Sequence, residues 1–282
     1  MSEELVDPAA PQAPAATPQT QRVIVALDAS RHSFTALKAA AELAALMEAE
    51  LQALYVEDID LIHLARLPFV HEIGLYSATR RPYDQRTAER EFQTLAHQMR
   101  HTVAQTAVAA RVNWSFEVVR GNVTNELLLA SNRAELLTLG RVGRTPGKRL
   151  GSTAQTIVAQ ATCPIFLLGN EGLTYPLTVI STGSPASARA LKLASTLMRG
   201  REGTLLVMAM TDPQLCADAR EQHAHRLQVD LGADDLTLRI HYVDGMAQMP
   251  RALQSVVHGT LILPAEEAAL VEAISTSAIL AP

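Results

Sequence analysis

The stretch IVALDASRHSFTALKAA, residues 24–40, decides the fold because the chain carries it twice. It aligns without a gap onto TVISTGSPASARALKLA, residues 178–194. Each copy begins as a short apolar run that favours a β-strand, passes through turn-forming residues and continues as sequence that favours a helix. Ser33 is placed to cap that helix in the first copy. The pattern indicates an α/β unit that is repeated in tandem.

The match between the two halves continues along the chain in the same order. Residues 51–58 align with 205–212, residues 116–140 with 240–264, and residues 158–168 with 271–281. Strands that are apolar throughout and alternate with helices are typical of a parallel sheet covered on both faces. The sequence therefore predicts an α/β fold of two doubly wound, five-stranded, Rossmann-like parallel sheets. We expect two separate sheets that pack through their last strands, CPIFLL and SAILA, as an intrachain pseudo-dimer.

The composition of the segments suggests how the chain is divided. Residues 1–21 are rich in Pro, Ala and Gln and are expected to form a disordered tail. Residues 22–170 are predicted to be the first domain and residues 175–282 the second. Only the first copy contains an insertion, residues 60–85, which suits either a lid or a surface that docks a partner.

Bulk composition limits the classes of partner and compartment. A formal net charge of -5 argues against a nucleic-acid partner, which usually requires a basic face. The two cysteines, Cys163 and Cys216, form no CxxC pair, and we expect a reducing cytoplasm. No apolar run approaches the roughly 20 residues that span a bilayer, so no membrane insertion is expected.

A loop that is rich in glycine and basic residues, GRVGRTPGKRLGS at residues 140–152, is the strongest functional signal. It is predicted to leave the fourth strand of the first half and to enter a helix that Ser152 can cap. In an open parallel sheet, ligands bind at the carboxyl ends of the strands. Glycines let backbone N–H groups surround an anion, and a helix N-terminus adds partial positive charge. Asp28, at the end of the first strand, can accept a hydrogen bond from an adenine amino group or a ribose hydroxyl.

The second half lacks both of these features. Thr182 stands in the place of Asp28, and PAEEAALVEA, residues 264–273, replaces the basic loop with a shorter segment that holds Glu266 and Glu267. Two carboxylates at that place would repel a phosphate. The sequence therefore predicts one nucleotide per chain, held by the first half.

Plainer interpretations of the same residues stay open. The loop can be a solvated basic turn with no ligand, and Asp28 can simply shape the first turn. GRTPGKR also approaches the phosphate-binding pattern G-x4-GK-[ST], but it is one residue short and has Arg149 in place of Ser or Thr.

VALDAS, LYVED, VRGNVTNELL, LGRVGR and GSTAQTIVAQATCPIFLL resemble the universal stress protein family in its tandem form, with a degenerate second domain. The resemblance covers residues 22–169 well and residues 176–282 weakly. It implies an adenine-nucleotide alpha-hydrolase-like fold. Nucleotide-binding members carry the loop G-x2-G-x9-G-[ST], whereas the spacer between Gly143 and Gly151 here has seven residues.

Carried over to this chain, the resemblance implies a nucleotide site with two sides. The adenine and ribose side would be held by Ala26, Asp28 and Val56. The phosphate side would be held by Gly140, Gly143, Gly151, Ser152 and Thr153. The ligand would be ATP or AMP, with Mg²⁺ only alongside ATP.

Three functions remain open at this stage. The first is a cytoplasmic stress-response regulator that binds an adenine nucleotide and allows a homodimer. The second is a nucleotide-free interaction or scaffolding module with a vestigial cleft. The third, a nucleotide hydrolase, lacks a convincing general base or metal ligands, so we expect no enzyme.

Overall fold

A computed structural model describes residues 21–28, 30–67, 69–73, 80–140, 151–169, 172–211, 217–231, 237–274 and 276–282. The predicted tail up to residue 20, and Gly143 with the rest of the basic loop at 141–150, lie outside the described residues.

The first half alternates strands and helices and adds a small hairpin. Its elements are β1 (Arg22–Leu27), α1 (Arg31–Leu46), β2 (Glu50–Asp58), α2 (Ile59–Ala65), β3 (His71–Ile73), β4 (Arg80–Pro82), α3 (Gln85–Ala110), β5 (Trp114–Gly121), α4 (Val123–Ser131), β6 (Leu136–Gly140), α5 (Ser152–Gln160) and β7 (Ile165–Leu168). The hairpin β3–β4 and α2 lie in the insertion that only the first half has.

The second half has the same alternation of strands and helices, but its described residues include no hairpin and no counterpart of α2, and a 3-10 helix takes the place of α5. Its elements are β8 (Thr178–Ser181), α6 (Pro185–Met198), β9 (Thr204–Thr211), α7 (Ala217–Leu231), β10 (Thr237–Asp244), α8 (Met249–Val256), β11 (Leu261–Pro264) and β12 (Ala278–Ala281). Short 3-10 helices at Met246–Gln248 and Ala265–Ala273 precede α8 and follow β11. Among the described helices, none is long and apolar enough to cross a membrane.

Ten of the strands form one sheet in the order β10-β9-β8-β11-β12-β7-β6-β1-β2-β5, and β3 and β4 form a separate two-stranded sheet. Each half contributes five strands to the larger sheet, where all pairings within a half are parallel. The last strands, β7 and β12, pair antiparallel at the centre. The predicted α/β class, with five parallel strands in each half and contact through the last strands, is confirmed, whereas the expectation of two separate sheets is wrong. An edge strand has unpaired N–H and C=O groups, and direct pairing of β7 with β12 satisfies them in a way that packing of separate sheets would not.

Strand register agrees with the alignment of the two halves. Ile24 lies opposite Gln52 in the first half, and Thr178 lies opposite Leu206 in the second. Likewise Leu51 faces Trp114, as Leu205 faces Leu238. Residues that match in sequence thus occupy matching positions in the sheet. Two hydrophobic clusters, one on each face of the sheet, each contain residues of both halves.

The residue that caps α1 lies about one turn before the predicted capping residue, Ser33. Ser30, rather than Ser33, is the N-cap, and its hydroxyl oxygen accepts a hydrogen bond from the Ser33 amide at 3.2 Å. Ser33 instead donates from its own hydroxyl to the Ser30 carbonyl at 2.9 Å. Ser184 and Ser187 repeat both bonds at the start of α6. The equivalent turns of the two halves therefore share one capping arrangement.

Candidate functional site

A cavity of about 420 Å³ opens at the carboxyl ends of β1, β2 and β6. It is bounded by the loops that follow these strands and by α3, α4 and the start of α5. Every predicted site residue that the structure describes lines it: Ala26, Asp28, Val56, Gly140, Gly151, Ser152 and Thr153. The structure therefore brings together residues from four separate segments of the chain, whereas Gly143 lies outside the described residues.

Asp28 directly follows β1 and is exposed at the mouth of this cavity. Its Oδ1 atom accepts a hydrogen bond from the Ser30 amide at 3.0 Å, which fixes the turn into α1. The interpretation of Asp28 as a turn residue and its interpretation as a ligand acceptor are thus compatible. A carboxylate has about four acceptor positions, and the turn uses one of them.

The amino end of α5 carries backbone N–H groups that have no acceptor within the helix. Gly151 is the N-cap residue and provides no side-chain hydrogen bond. The expectation that Ser152 caps this helix is wrong, because Ser152 is its first helical residue. The first intrahelical bond runs from the Gln155 amide to the Gly151 carbonyl at 3.0 Å. The N–H groups of the preceding helical residues therefore have no intrahelical acceptor, which is the arrangement that binds anions at helix N-termini.

Helix α3 forms an apolar wall that sequence reasoning did not assign to the site. Phe92 and Leu95 line the cavity. The Phe92 ring meets the Tyr55 ring edge-on, with the centroids 6.4 Å apart. Near the start of α3, the Tyr83 hydroxyl donates to Oε2 of Glu91 at 3.3 Å, and both residues line the cavity.

A signal for this wall was present in the sequence. Phe92, Leu95, Ala96, Met99 and Val103 recur at helical spacing, which predicts one apolar face. In α3, Phe92, Met99 and Val103 are buried, and Leu95 and Ala96 are partly buried. The spacing does not reveal that the insertion before α3 places the first turns of this helix over the ends of β1 and β2. Leu61 of α2 and Tyr83, both from the insertion, line the cavity as a lid would.

The carboxylates around the cavity belong to its described lining, and the basic residues belong to the loop. Asp28, Asp58 and Glu91 are the carboxylates of the described lining, which includes no lysine or arginine. Arg141, Arg144, Lys148 and Arg149 belong to the segment that connects two lining residues, Gly140 and Gly151. Within the described part of the chain, no group of three His, Cys, Asp or Glu side chains could hold a metal ion.

The serine hydroxyls near Asp28 are already engaged in helix capping. Ser30 accepts from the Ser33 amide, and Ser33 donates to the Ser30 carbonyl. Neither arrangement presents a nucleophile beside a base. The cavity is suited to holding a ligand with an apolar ring on one side and an anion at the α5 end.

The equivalent end of the second half is built differently. The hydroxyl of Thr182, which replaces Asp28, donates to Oγ of Ser184 at 3.1 Å. The 3-10 helix Ala265–Ala273 follows β11 directly, where the basic loop follows β6. Burial and the adjacent charge of Glu266 raise the pKa of Glu267. An added anion would be unfavourable beside these two carboxylates.

Comparisons with known proteins agree with this architecture. Residues 19–168 match the model of the universal stress protein family, which is more than half of the chain. No match to a curated protein was found.

Solved structures resemble the chain in fold at low sequence identity. A universal stress protein from Archaeoglobus fulgidus DSM 4304 is 15% identical with a TM-score of 0.66, and the match covers 93% of this chain and 98% of that one. The cytoplasmic domain of a prokaryotic cation chloride cotransporter is 11% identical with a TM-score of 0.53, over 93% and 95% of the two chains. A universal stress protein in complex with cAMP is 19% identical with a TM-score of 0.38, over 53% and 97%. The first two likenesses extend over both halves and establish a shared fold.

Proposed function

The chain belongs to the universal stress protein family, and from this premise we propose that it is a stress-response regulator that binds one adenine nucleotide in its first half. One observation carries the proposal. Asp28 and the uncapped amino end of α5 line the same cavity, although about 120 residues of sequence separate them. The proposed compartment is the cytoplasm, and the proposed role is regulatory rather than enzymatic.

The apolar part of the cavity suits the adenine and the ribose. Ala26 and Val56 lie on the neighbouring strands β1 and β2, and Phe92 and Leu95 lie on α3. A pocket with mainly apolar walls and a few polar groups is the usual form of a small-molecule site. Asp28 would accept a hydrogen bond from the adenine amino group or from a ribose hydroxyl.

The α5 end suits the phosphates. Gly151, Ser152 and Thr153 line the cavity at the start of this helix, where backbone N–H groups and the helix dipole favour an anion. The four basic residues of the loop would neutralise the charge of ATP or AMP. With ATP, a Mg²⁺ ion would accompany the phosphates and would be held mainly by them.

One observation favours a second candidate, a nucleotide-free interaction module. The described lining carries Asp28, Asp58 and Glu91 without a cation, so the loop has to supply all of the positive charge. If the loop, with its seven-residue spacer, does not reach over the cavity, the site would repel phosphates and the cleft would be vestigial.

The nucleotide content of the purified full-length protein decides between the two candidates. Acid extraction followed by chromatography should release about one adenine nucleotide per chain. Calorimetry on the stripped protein, with ATP and AMP and with or without Mg²⁺, should then show one site. Absence of nucleotide together with absence of binding heat would favour the interaction module. Steady release of ADP from ATP would show that the protein is an enzyme and contradict the regulatory role.

A further inference from the structure

A second cavity, of about 910 Å³, lies in the other half and at the opposite end of the strands. It surrounds the amino-terminal ends of β9 and β10 and reaches the last residues of α8. It is therefore separate from the proposed nucleotide cavity, which lies at the carboxyl ends of β1, β2 and β6.

Basic side chains dominate the charge of this second cavity. Arg201, Arg239, His241 and His258 line it, and Glu202 is the only carboxylate of its described lining. Arg239 and His241 stand two residues apart on β10, so their side chains lie on the same face of this edge strand. Within the described part of the chain, neither makes a salt bridge.

In the first half, the residue that aligns with His241 has a partner of opposite charge. The alignment of the halves places Glu117 where His241 stands. Glu117 accepts hydrogen bonds from Arg133 and, at 2.7 Å, from Nε2 of Gln52. The first half thus carries its own pair of opposite charges at this end of the sheet.

The second half has replaced each partner in that network. Leu206 stands in place of Gln52 and Val257 in place of Arg133. Arg239 stands in place of Ser115, whose hydroxyl donates to Oε1 of Glu50. At these positions the second half keeps one arginine, Arg239, and loses both carboxylates, because Thr204 and His241 stand in place of Glu50 and Glu117. Arginines that line a cavity and have no salt bridge among the described residues indicate an anionic ligand.

The other wall of the cavity is aromatic and apolar. The guanidinium carbon of Arg201 lies 4.7 Å from the centre of the Tyr175 ring, in a cation–π contact. The Tyr175 hydroxyl is buried and has no hydrogen-bond partner among the described residues. Met198 and Leu206, both buried, complete this wall. A ligand with a ring or an apolar body would cover this surface.

We propose that the cavity around Arg201, Arg239, His241 and Tyr175 binds a small organic anion, in which a phosphate or carboxylate group is attached to a ring or an apolar body. Arginine binds either anion through two parallel N–H bonds, so the shared chemistry is a planar or tetrahedral oxyanion. The proposal is independent of the nucleotide site, since the two cavities share no lining residue.

Calorimetry on the full chain with phenyl phosphate, benzoate and benzyl alcohol tests this proposal. The two anions should bind and the neutral alcohol should not, and the tighter of the two anions identifies the preferred group. Arg239→Gln should weaken binding of the preferred anion at least about tenfold, which is the expected loss for one charge-assisted hydrogen bond. Arg226→Gln is the matched control, because Arg226 is exposed on α7, which packs on the other face of the sheet.

Histidine ring signals in NMR spectra locate the bound anion. The signals of His241 and His258, assigned with His241→Gln and His258→Gln, should shift during the titration. Gly151→Asp, which alters only the proposed nucleotide site, should leave phenyl phosphate binding unchanged. Unshifted signals of both histidines would overturn the proposal, as would unchanged affinity in Arg239→Gln. Loss of binding in Gly151→Asp alone would show that phenyl phosphate occupies the first cavity, and would also overturn it.

Discussion

Phe166 of β7 lies directly opposite Ile279 of β12, in the antiparallel pairing that joins the two halves. Both side chains are fully buried and belong to the same hydrophobic cluster. That cluster also contains Val25 of the first strand and Val207 of β9. The halves therefore share one core on this face of the sheet, and each depends on the other for the burial of its last strand.

Phe166→Ala should destabilise both halves together. Removing a large aromatic side chain from a packed core costs about 3–5 kcal/mol in the free energy of unfolding. Urea unfolding should be followed by the fluorescence of Trp114, the single tryptophan, and by far-UV circular dichroism. We expect coincident transitions, because Trp114 reports on the first half and the dichroism on both. Val118→Ala, at a side chain that is 44% exposed, is the control and should have little effect. Two separate midpoints would contradict the shared core.

Gly259→Ala should be strongly destabilising. A Cβ atom at this buried position would collide with the Pro176 carbonyl oxygen and lie 3.0 Å from that of Thr174. These are backbone atoms, and the segment is held by the hydrogen bond from the Thr260 amide to the Thr174 carbonyl at 2.9 Å. Because the backbone there cannot move without breaking that bond, we expect a loss of about 3 kcal/mol. Thermal unfolding measures this loss.

Gly172→Ala is the matched control for this substitution. Its added Cβ would lie 3.7 Å from the Ala39 Cβ atom, an ordinary contact. The control should therefore unfold close to the temperature of the native chain. Equal Tm values for Gly259→Ala and Gly172→Ala would show that the Thr174–Pro176 backbone accommodates the methyl group.

Glu267→Gln should stabilise the protein at neutral pH and not in acid. Burial, with the charge of Glu266, raises the pKa of Glu267 in the folded state. The folded chain thus holds this proton more tightly than the unfolded chain, and stability falls as the pH rises from the unfolded pKa through the folded one. Glutamine removes that loss of stability. The Tm at pH 7 should therefore rise, by no more than about 3 °C because the side chain is partly exposed. Near pH 4, where the carboxyl is largely protonated in both states, the difference should disappear.

Calorimetry at the two pH values measures the effect. Glu221→Gln, at an exposed position on α7, is the control and should show no such change with pH. A lower Tm for Glu267→Gln than for the native chain at pH 7 would mean that the charged carboxylate makes a favourable interaction.

Local sequence signals predicted the strands and helices, because apolar periodicity and capping residues act over a few neighbours. The same signals misplaced the caps of α1 and α5, where Ser30 and Gly151, rather than Ser33 and Ser152, occupy the position before the helix. Moving the assigned cap by one to three residues hardly changes the apolar periodicity from which the helix is predicted. The continuity of the sheet across the two halves depends on hydrogen bonds between β7 and β12, which are more than 100 residues apart, and apolar periodicity does not encode this pairing.

The candidate site was predictable where it rests on strand ends. Asp28 follows β1 and Gly140 is the last residue of β6, and parallel strands end on the same side of a sheet. Tyr83 and Glu91 were missed because their place depends on the path of the insertion, which brings the start of α3 over those strand ends. No short-range pattern within α3 distinguishes a residue facing a cavity from one facing the core.

Gly151→Asp should abolish nucleotide binding without unfolding the protein. Gly151 has φ -68° and ψ 153°, an extended conformation that any residue adopts, and it occupies the N-cap of α5. Aspartate is a favoured N-cap residue, so the helix itself should be at least as stable. Its carboxylate would, however, accept hydrogen bonds from the first N–H groups of α5. It would also place a negative charge where the phosphates are proposed to lie. Calorimetry with ATP and AMP should show an affinity at least about 100-fold lower, since like charges held together cost several kcal/mol.

Two further variants test whether the charge of the new side chain, and its place in the first half, cause the loss of binding. Gly151→Asn has nearly the same size and also caps helices, but it adds no charge, and it should bind the nucleotide more tightly than Gly151→Asp. Glu266→Gln changes the corresponding end of the second half and should leave binding at one nucleotide per chain, because that half is proposed to hold none. Undiminished binding in Gly151→Asp would show that α5 does not hold the phosphates. A second binding event in Glu266→Gln would show that the second half retains a site that only its charge keeps empty.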